Sequence, residues 1–283
     1  MIPSIRQSRV VTVGYGLYVA LFFVYLALPL TVVSVFAFND SLFPSLPWKG
    51  FTLAWFFGPE KPMLGVFHEA KILKSIGTSA FVAIWVAVLS VGVGLANAFL
   101  FNRYDFRLRG LLYILMLLPL VIPGIVLGIS ILVFSSRMAN GAEDLLNWDL
   151  EMLRPGLFLV VLGQFSFITT IATLVISARL KKFDRSLEDA AMNLGASPLT
   201  AVRTITLPFL KPALIGAGVV AFLMSFENFN TTLMLVGSDA PLTITMFDRL
   251  KEGSTPVLNA VSLLLMIGSS LLALAMIVFQ RRS

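Results

Sequence analysis

The sequence contains no cysteine. Disulfides, thiolate nucleophiles and Cys-ligated metals are therefore excluded. A single histidine, His68, leaves no multi-histidine metal centre to build. Charge is scarce as well: 13% of residues are Asp, Glu, Lys or Arg, about half the ~25% of an ordinary soluble domain. The chain has no Gly-x-x-x-x-Gly-Lys-[Ser/Thr] loop, so it does not cradle ATP phosphates in that manner. It also has no internal repeat of solenoid period, no low-complexity tract and no soluble linker.

What is present is apolar. Hydrophobic residues make up 58% of the 283 positions, 24 of them phenylalanine, and the mean hydropathy is +0.91. These values predict an all-α, polytopic membrane protein forming one transmembrane domain over residues 1–283. Apolar runs long enough to cross a bilayer, which takes ~20 residues, lie at about 11–38, 76–101, 111–134, 155–176, 212–236 and 257–279. The first follows Arg6 and Arg9. It exceeds the ~7–15 residues of a signal-peptide core, and it reads as an uncleaved span. The third is interrupted by Pro119 and Pro123-Gly124, which suits a kinked helix or a segment lining a cavity. The aromatic cluster Trp48 to Phe57 has the composition of a membrane–water interface.

The net charge of +6 is distributed by side. Segments 1–10, 102–110, 179–211 and 280–283 carry thirteen Lys/Arg against four acids; the three opposite loops carry eight against ten. By the positive-inside rule the first set, with both termini, is cytoplasmic. The basic balance thus reports topology, and no nucleic-acid partner is expected.

One polar island, 179–211, interrupts this pattern. Ser186 is a candidate N-cap, with Asp189 three residues on in a capping-box arrangement. Glu188 and Asp189 sit in a first turn, where negative charge suits the helix dipole. Leu187, Ala190, Ala191 and Leu194 form one apolar stripe at helical spacing. Gly195 is a stop signal, and Ser197-Pro198 restarts a helix that Leu207-Pro208 is expected to end, with Pro212 opening span five. A helix of ~9 residues is marginal alone in water. Either it docks on its own bundle or bilayer, or it serves a cytoplasmic partner.

The segment Asp189-Ala-Ala-Met-Asn-Leu-Gly195, nine residues and Ile205-Thr-Leu-Pro208 resembles the EAA signature of permease subunits of ABC importers. That signature runs Glu-Ala-Ala, three residues, Gly, nine residues, Ile-x-Leu-Pro. The spacing matches throughout, and the one departure is Asp189 at the Glu position. Further segments are similar to the spermidine/putrescine group of this family: Trp48–Trp55, Ser75–Ala80, Asn102–Arg107, Phe226–Phe229 and Gly253–Ala260.

The resemblance implies a type I importer in a bacterial inner membrane, in which this chain forms half of the path for a small organic solute. Glu188, Asp189, Ala190, Ala191, Gly195, Ile205, Leu207 and Pro208 would couple it to an ABC ATPase dimer. A second permease subunit and an external solute-binding protein complete the assembly. This chain would bind no cofactor, and ATP and Mg would belong to the ATPase. Glu227, an acid within span five, is a path candidate with Asn228 and Asn230, suited to a cationic amine such as a polyamine. A structural role for Glu227 between helices stays open. So does another solute, whether an opine, a quaternary amine or an anion. Gln164 and Asn97 are secondary path candidates, with interhelical hydrogen bonding as the alternative. An ion-driven secondary transporter would need more intramembrane ionisable groups, and an embedded enzyme would need paired acids that the spans lack.

Overall fold

The computed structural model describes residues 8–44, 46–253 and 255–281. Arg6 of the basic start, Ser254 and Arg282 lie outside the described residues. Twelve α-helices occur among the described residues: α1 (Arg9–Phe36), α2 (Ala54–Phe57), α3 (Ala70–Arg103), α4 (Arg109–Val121), α5 (Gly124–Leu146), α6 (Leu157–Leu180), α7 (Ser186–Asn193), α8 (Pro198–Ala201), α9 (Leu207–Phe226), α10 (Asn230–Leu235), α11 (Leu242–Glu252) and α12 (Pro256–Arg281). Among these residues the only strand-like pairing is an isolated antiparallel bridge between Asn39 and Phe51. Six helical stretches are long and apolar enough to cross a membrane: Arg9–Phe36, Ala70–Arg103, Gly124–Leu146, Leu157–Leu180, Pro198–Phe226 and Pro256–Val278. The all-α, six-span expectation therefore holds.

The chain divides into two compact units, residues 1–70 with 250–267 and residues 71–249 with 268–283. In the first, α1 buries none of its residues; apolar on all sides, it presents the surface of a span that faces lipid or another chain. Its start is capped by Ser8, whose Oγ accepts the Val11 N–H. A compact knot follows it. Trp55 and Phe56 are buried, the Trp55 indole N–H donates to the Asn39 carbonyl at 2.9 Å, and Asn39 Oδ1 accepts the Lys49 N–H at 3.0 Å. Trp48, Phe51 and Phe57 remain exposed.

In the second unit, α6 is the central post. Its residues Leu159, Val160, Val161 and Ile168 pack with Val82 and Val86 of α3, Ala221 of α9 and Leu235 of α10. Toward the other end, Ala172, Ile176 and Leu180 pack with Ala98, Leu210 and Ala217. Between helices in lipid no hydrophobic gain drives association, so close van der Waals approach must do so, and small residues permit it. A Cβ on Gly94 of α3 would lie 3.0 Å from the Thr173 backbone nitrogen.

Three expectations about boundaries are corrected. Span three is two helices, because Pro123 has no N–H and drives Ile122 to φ −76°, ψ 129°. The stretch 135–146, expected as loop, continues α5 until Asn147 ends it in the left-handed region at φ 54°. Leu207-Pro208 does not stop a helix. Residues Val202–Thr206 form a π-helical turn that carries α8 into α9 without a break, and Pro212 lies inside α9 rather than opening it. The wider turn gives the Pro208 ring room against the carbonyls of the preceding turn.

Candidate functional site

The island folds as two helices joined at a glycine corner, and its local chemistry explains each boundary. Ser186 is the first residue of α7 rather than its cap. The carboxylate of Asp184 instead accepts the Ser186 N–H at 3.0 Å. That hydrogen bond, together with one from the Ser186 side chain, holds the Asp184 carboxyl below its ordinary range. Asp is the better acceptor here because its ionised oxygen sits two residues ahead, in Asx-turn geometry. Gly195 ends α7 at φ +93°. Its N–H bonds the Met192 carbonyl at 2.9 Å and the Ala196 N–H bonds the Ala191 carbonyl at 3.0 Å, which is a Schellman arrangement. Ser197 caps α8 through the Thr200 N–H at 3.2 Å, with Pro198 in the first turn.

The two faces of α7 are inverted relative to a soluble surface helix. Its charged Glu188 points inward and is 7% exposed, whereas Leu187 is 50% and Leu194 90% exposed. Ala190 and Asp189 are also exposed, and Ala191 is half-buried. The inward Glu188 is held by both terminal nitrogens of Arg103, at the end of α3, with N–O distances of 2.5 and 2.8 Å. Thr206, fully buried in the π turn, donates its hydroxyl to the same carboxylate. The Arg103 hydrogen bonds lower the Glu188 pKa against the opposing effect of burial, with Thr206 assisting. The Arg103 guanidinium also lies 4.8 Å from the Phe99 ring centroid. This three-way junction ties α3, α7 and the start of α9 together. Ile205 packs on the buried cluster of α6 and α9, while Leu207 is half-buried and Pro208 exposed.

The sequence flagged Glu188 as a first-turn acid and, through the family resemblance, as a coupling residue, but not as one half of a buried ion pair. Its partner Arg103 is 85 residues away, and no local pattern could have joined them.

A second arrangement lies where two helices are broken. Span five was expected to contain Glu227. The structure ends α9 at Phe226, makes Glu227 the exposed C-cap, and restarts at Asn230 as α10. The break between α4 and α5 lies against this one: a Cβ on Gly124 would sit 3.1 Å from the Asn230 Cβ, and the Thr231 hydroxyl donates to the Gly124 carbonyl at 3.3 Å. Asn228 turns its side chain to α10, where Oδ1 accepts the Thr232 N–H at 3.3 Å and the Thr232 hydroxyl at 3.0 Å. Gln164, buried in α6, donates to Thr232 Oγ1 at 2.8 Å and accepts from the Ser225 hydroxyl. Gln164 thus has the interhelical role. Asn97 is half-buried. Glu227 and Asn230 remain exposed at the paired breaks, where interrupted helices in a membrane expose backbone dipoles. No group of three or more metal-ligating side chains occurs among the described residues.

Residues 89–283 match the family model described as binding-protein-dependent transport system inner membrane component. The putrescine transport system permease protein PotI of Escherichia coli K12 is 28% identical over 94% of this chain and 88% of its own length. The spermidine/putrescine permease protein PotC of the same organism is 26% identical over 92% and 91%. The sulfate permease protein CysT of Salmonella typhimurium is 30% identical over 71% and 74%. Among solved structures, a bacterial ABC transporter involved in the import of the acidic polysaccharide alginate aligns with a TM-score of 0.74. It is 16% identical and covers 96% of this chain and 95% of that one, so the fold is shared. Six apolar helices, the EAA-spaced island and a family match over more than two thirds of the sequence agree: the chain belongs to the binding-protein-dependent transport system inner membrane components, and it is a multi-pass transport permease rather than an enzyme.

Proposed function

We propose that this chain is one of two permease subunits of an ATP-driven importer for a polyamine or related cationic amine, working by alternating access. The observation that carries the reading is the inverted face of α7. A short helix whose apolar residues Leu187 and Leu194 are exposed while its acid is buried is built to present a knob to another protein. A groove on an ABC ATPase is the expected receiver, with ATP and Mg held there. Motion of the ATPase would enter through α7 and pass by way of Glu188 to Arg103 on α3 and Thr206 ahead of α9. The island side of the chain, with both termini, is then cytoplasmic, and a solute-binding protein delivers from the opposite face.

The choice of a cation rests on the paired helix breaks and on the relatives named for putrescine and spermidine. Glu227 caps the C-terminal end of α9. A carboxylate there adds to the negative end of the helix dipole, so the position attracts an ammonium group and repels an anion. The sulfate-permease relative favours a second reading, an anion importer. Uptake of labelled putrescine and of labelled sulfate, in cells expressing the complete transporter, decides between them. Putrescine uptake that weakens in Glu227→Gln supports the first reading. Sulfate uptake, or putrescine uptake unchanged in the variant across concentrations, overturns it. For the coupling role, Leu194→Asp should release the ATPase from the purified complex, and full retention would refute it.

A further inference from the structure

At the end of the second unit where α3 and α6 finish and α4 begins, two adjoining cavities of about 230 and 350 Å³ share Asn102 and Lys181 in their walls. The smaller adds Arg103 and Arg185, and the larger adds Arg109, Tyr113 and Ser177. Four cationic side chains therefore line the pair, and no carboxylate does. Two of the four are partly neutralised from outside, Arg103 by Glu188 and Arg109 by Asp105. Lys181 is exposed and forms no ion pair among the described residues; Arg185, also exposed, feels the Glu188 charge and donates to the Asn102 carbonyl at 3.3 Å. Both terminal nitrogens of Arg103 are committed to Glu188, but its Nε is buried without a hydrogen-bond partner. Asn102 spends its amide hydrogens on the Ala98 carbonyl at 2.6 Å and on Ser177 Oγ at 3.1 Å, so Ser177 contributes the hydroxyl donor. Beside the larger cavity the surface becomes apolar: Leu108, Leu111, Leu112 and Leu115 of the α4 segment are all exposed.

From this juxtaposition we infer that the paired cavities form a phosphate-binding site at the membrane interface, with an anionic phospholipid headgroup as its occupant and the apolar face of α4 alongside the acyl chains. A tetrahedral anion with several oxygens can take hydrogen bonds from lysine, guanidinium and hydroxyl donors together. Basic pockets between spans are where such headgroups bind. A free phosphate offers the same oxygens, so the source is a matter for experiment. Because Arg103 belongs both to the cavity and to the Glu188 junction, occupancy would stiffen the attachment of α7.

The test is a binding titration on the full chain purified in mild detergent. Phosphatidylglycerol, phosphatidylcholine and inorganic phosphate serve as separate probes, and thermal stability is the readout. Phosphatidylglycerol should stabilise at lower concentration than phosphatidylcholine, and the preference should fade as salt rises. Lys181→Gln should weaken phosphatidylglycerol by about fivefold and Lys181→Glu by about thirtyfold. Arg137→Gln, far along α5, should leave it unchanged, and the variants should match the parent in far-UV circular dichroism. Stabilisation by inorganic phosphate alone, lost in Lys181→Glu, supports the site with a soluble occupant. Equal effects of the two lipids with no response to phosphate, or phosphatidylglycerol binding indifferent to Lys181→Glu, overturns the site.

Discussion

Removing the Glu188 carboxylate should free α7 from the bundle without unfolding the bundle. The carboxylate takes three hydrogen bonds, two from Arg103 and one from Thr206. The Arg103 and Glu188 side chains keep only 14% and 10% of their exposure. Breaking a buried pair from one side costs about 3–5 kcal/mol, because the abandoned charge stays behind. The residual exposure argues for the lower end, about 3 kcal/mol, or a factor of about 150 in a local opening equilibrium. The eight-residue α7 has little else to hold it, since such helices are marginal alone. The assay is amide hydrogen exchange by mass spectrometry on the purified chain. In Glu188→Ala, residues 186–194 should exchange about a hundredfold faster while the middle of α6 does not change.

The double variant Arg103→Met with Glu188→Met should recover most of the protection, since an apolar pair of similar volume removes the buried charge from both sides. If Glu188→Ala leaves exchange over α7 unchanged, or if the double variant is as open as the sum of the singles, the junction is not what holds the helix.

The pH dependence has a definite sign. The Glu188 pKa is lowered from 4.5 in the folded chain by Arg103 and Thr206. Its contribution is therefore complete above pH 4.5 and is lost as pH falls below that toward the folded value. Exchange over α7 should show no dependence from this group between pH 5 and 8 after correction for intrinsic rates. A transition there would contradict the assignment. Gly195→Ala should destabilise the corner by about 1 kcal/mol, since φ +93° suits glycine while the space around it is open; the bulkier, charged Gly195→Asp should lower transport-coupled ATP hydrolysis in the assembled importer, and normal coupling would refute the role of the corner. Gln164→Leu should lower the melting temperature by leaving the buried Ser225 hydroxyl without its acceptor, a cost of about 1–2 kcal/mol, while Thr232 keeps its bond to Asn228; an unchanged melting temperature would show that Ser225 finds another partner. The chain purified alone should hydrolyse no ATP, and turnover without partners would overturn its assignment as the transport subunit.

The sequence by itself determined the class of the molecule and the outline of its island. Long apolar runs leave the backbone no choice but helix in a bilayer, because every N–H must be satisfied within the segment. Hence the six spans were legible. The glycine corner and the Ser197-Pro198 restart were legible for a related reason: a positive φ, a missing N–H and a hydroxyl cap act within four residues. The failures have equally physical causes. Pro208 looked like a stop because a proline N–H is missing in any helix, but a π turn absorbs it, and whether one forms depends on packing around the buried Thr206. Pro123 broke its span while Pro119 and Pro212 did not, and the sequence marks the difference only in the glycine that follows Pro123, where Leu120 and Ala213 follow the other two.

Only the tertiary structure decided which way α7 faces. The pattern of Leu187, Ala190, Ala191 and Leu194 would turn inward on an ordinary surface helix. Here Arg103, brought up by the far end of α3, claims Glu188 for the inside and leaves the apolar stripe outside. An ion pair across 85 residues of sequence is set by how whole helices pack, and no local spacing encodes it.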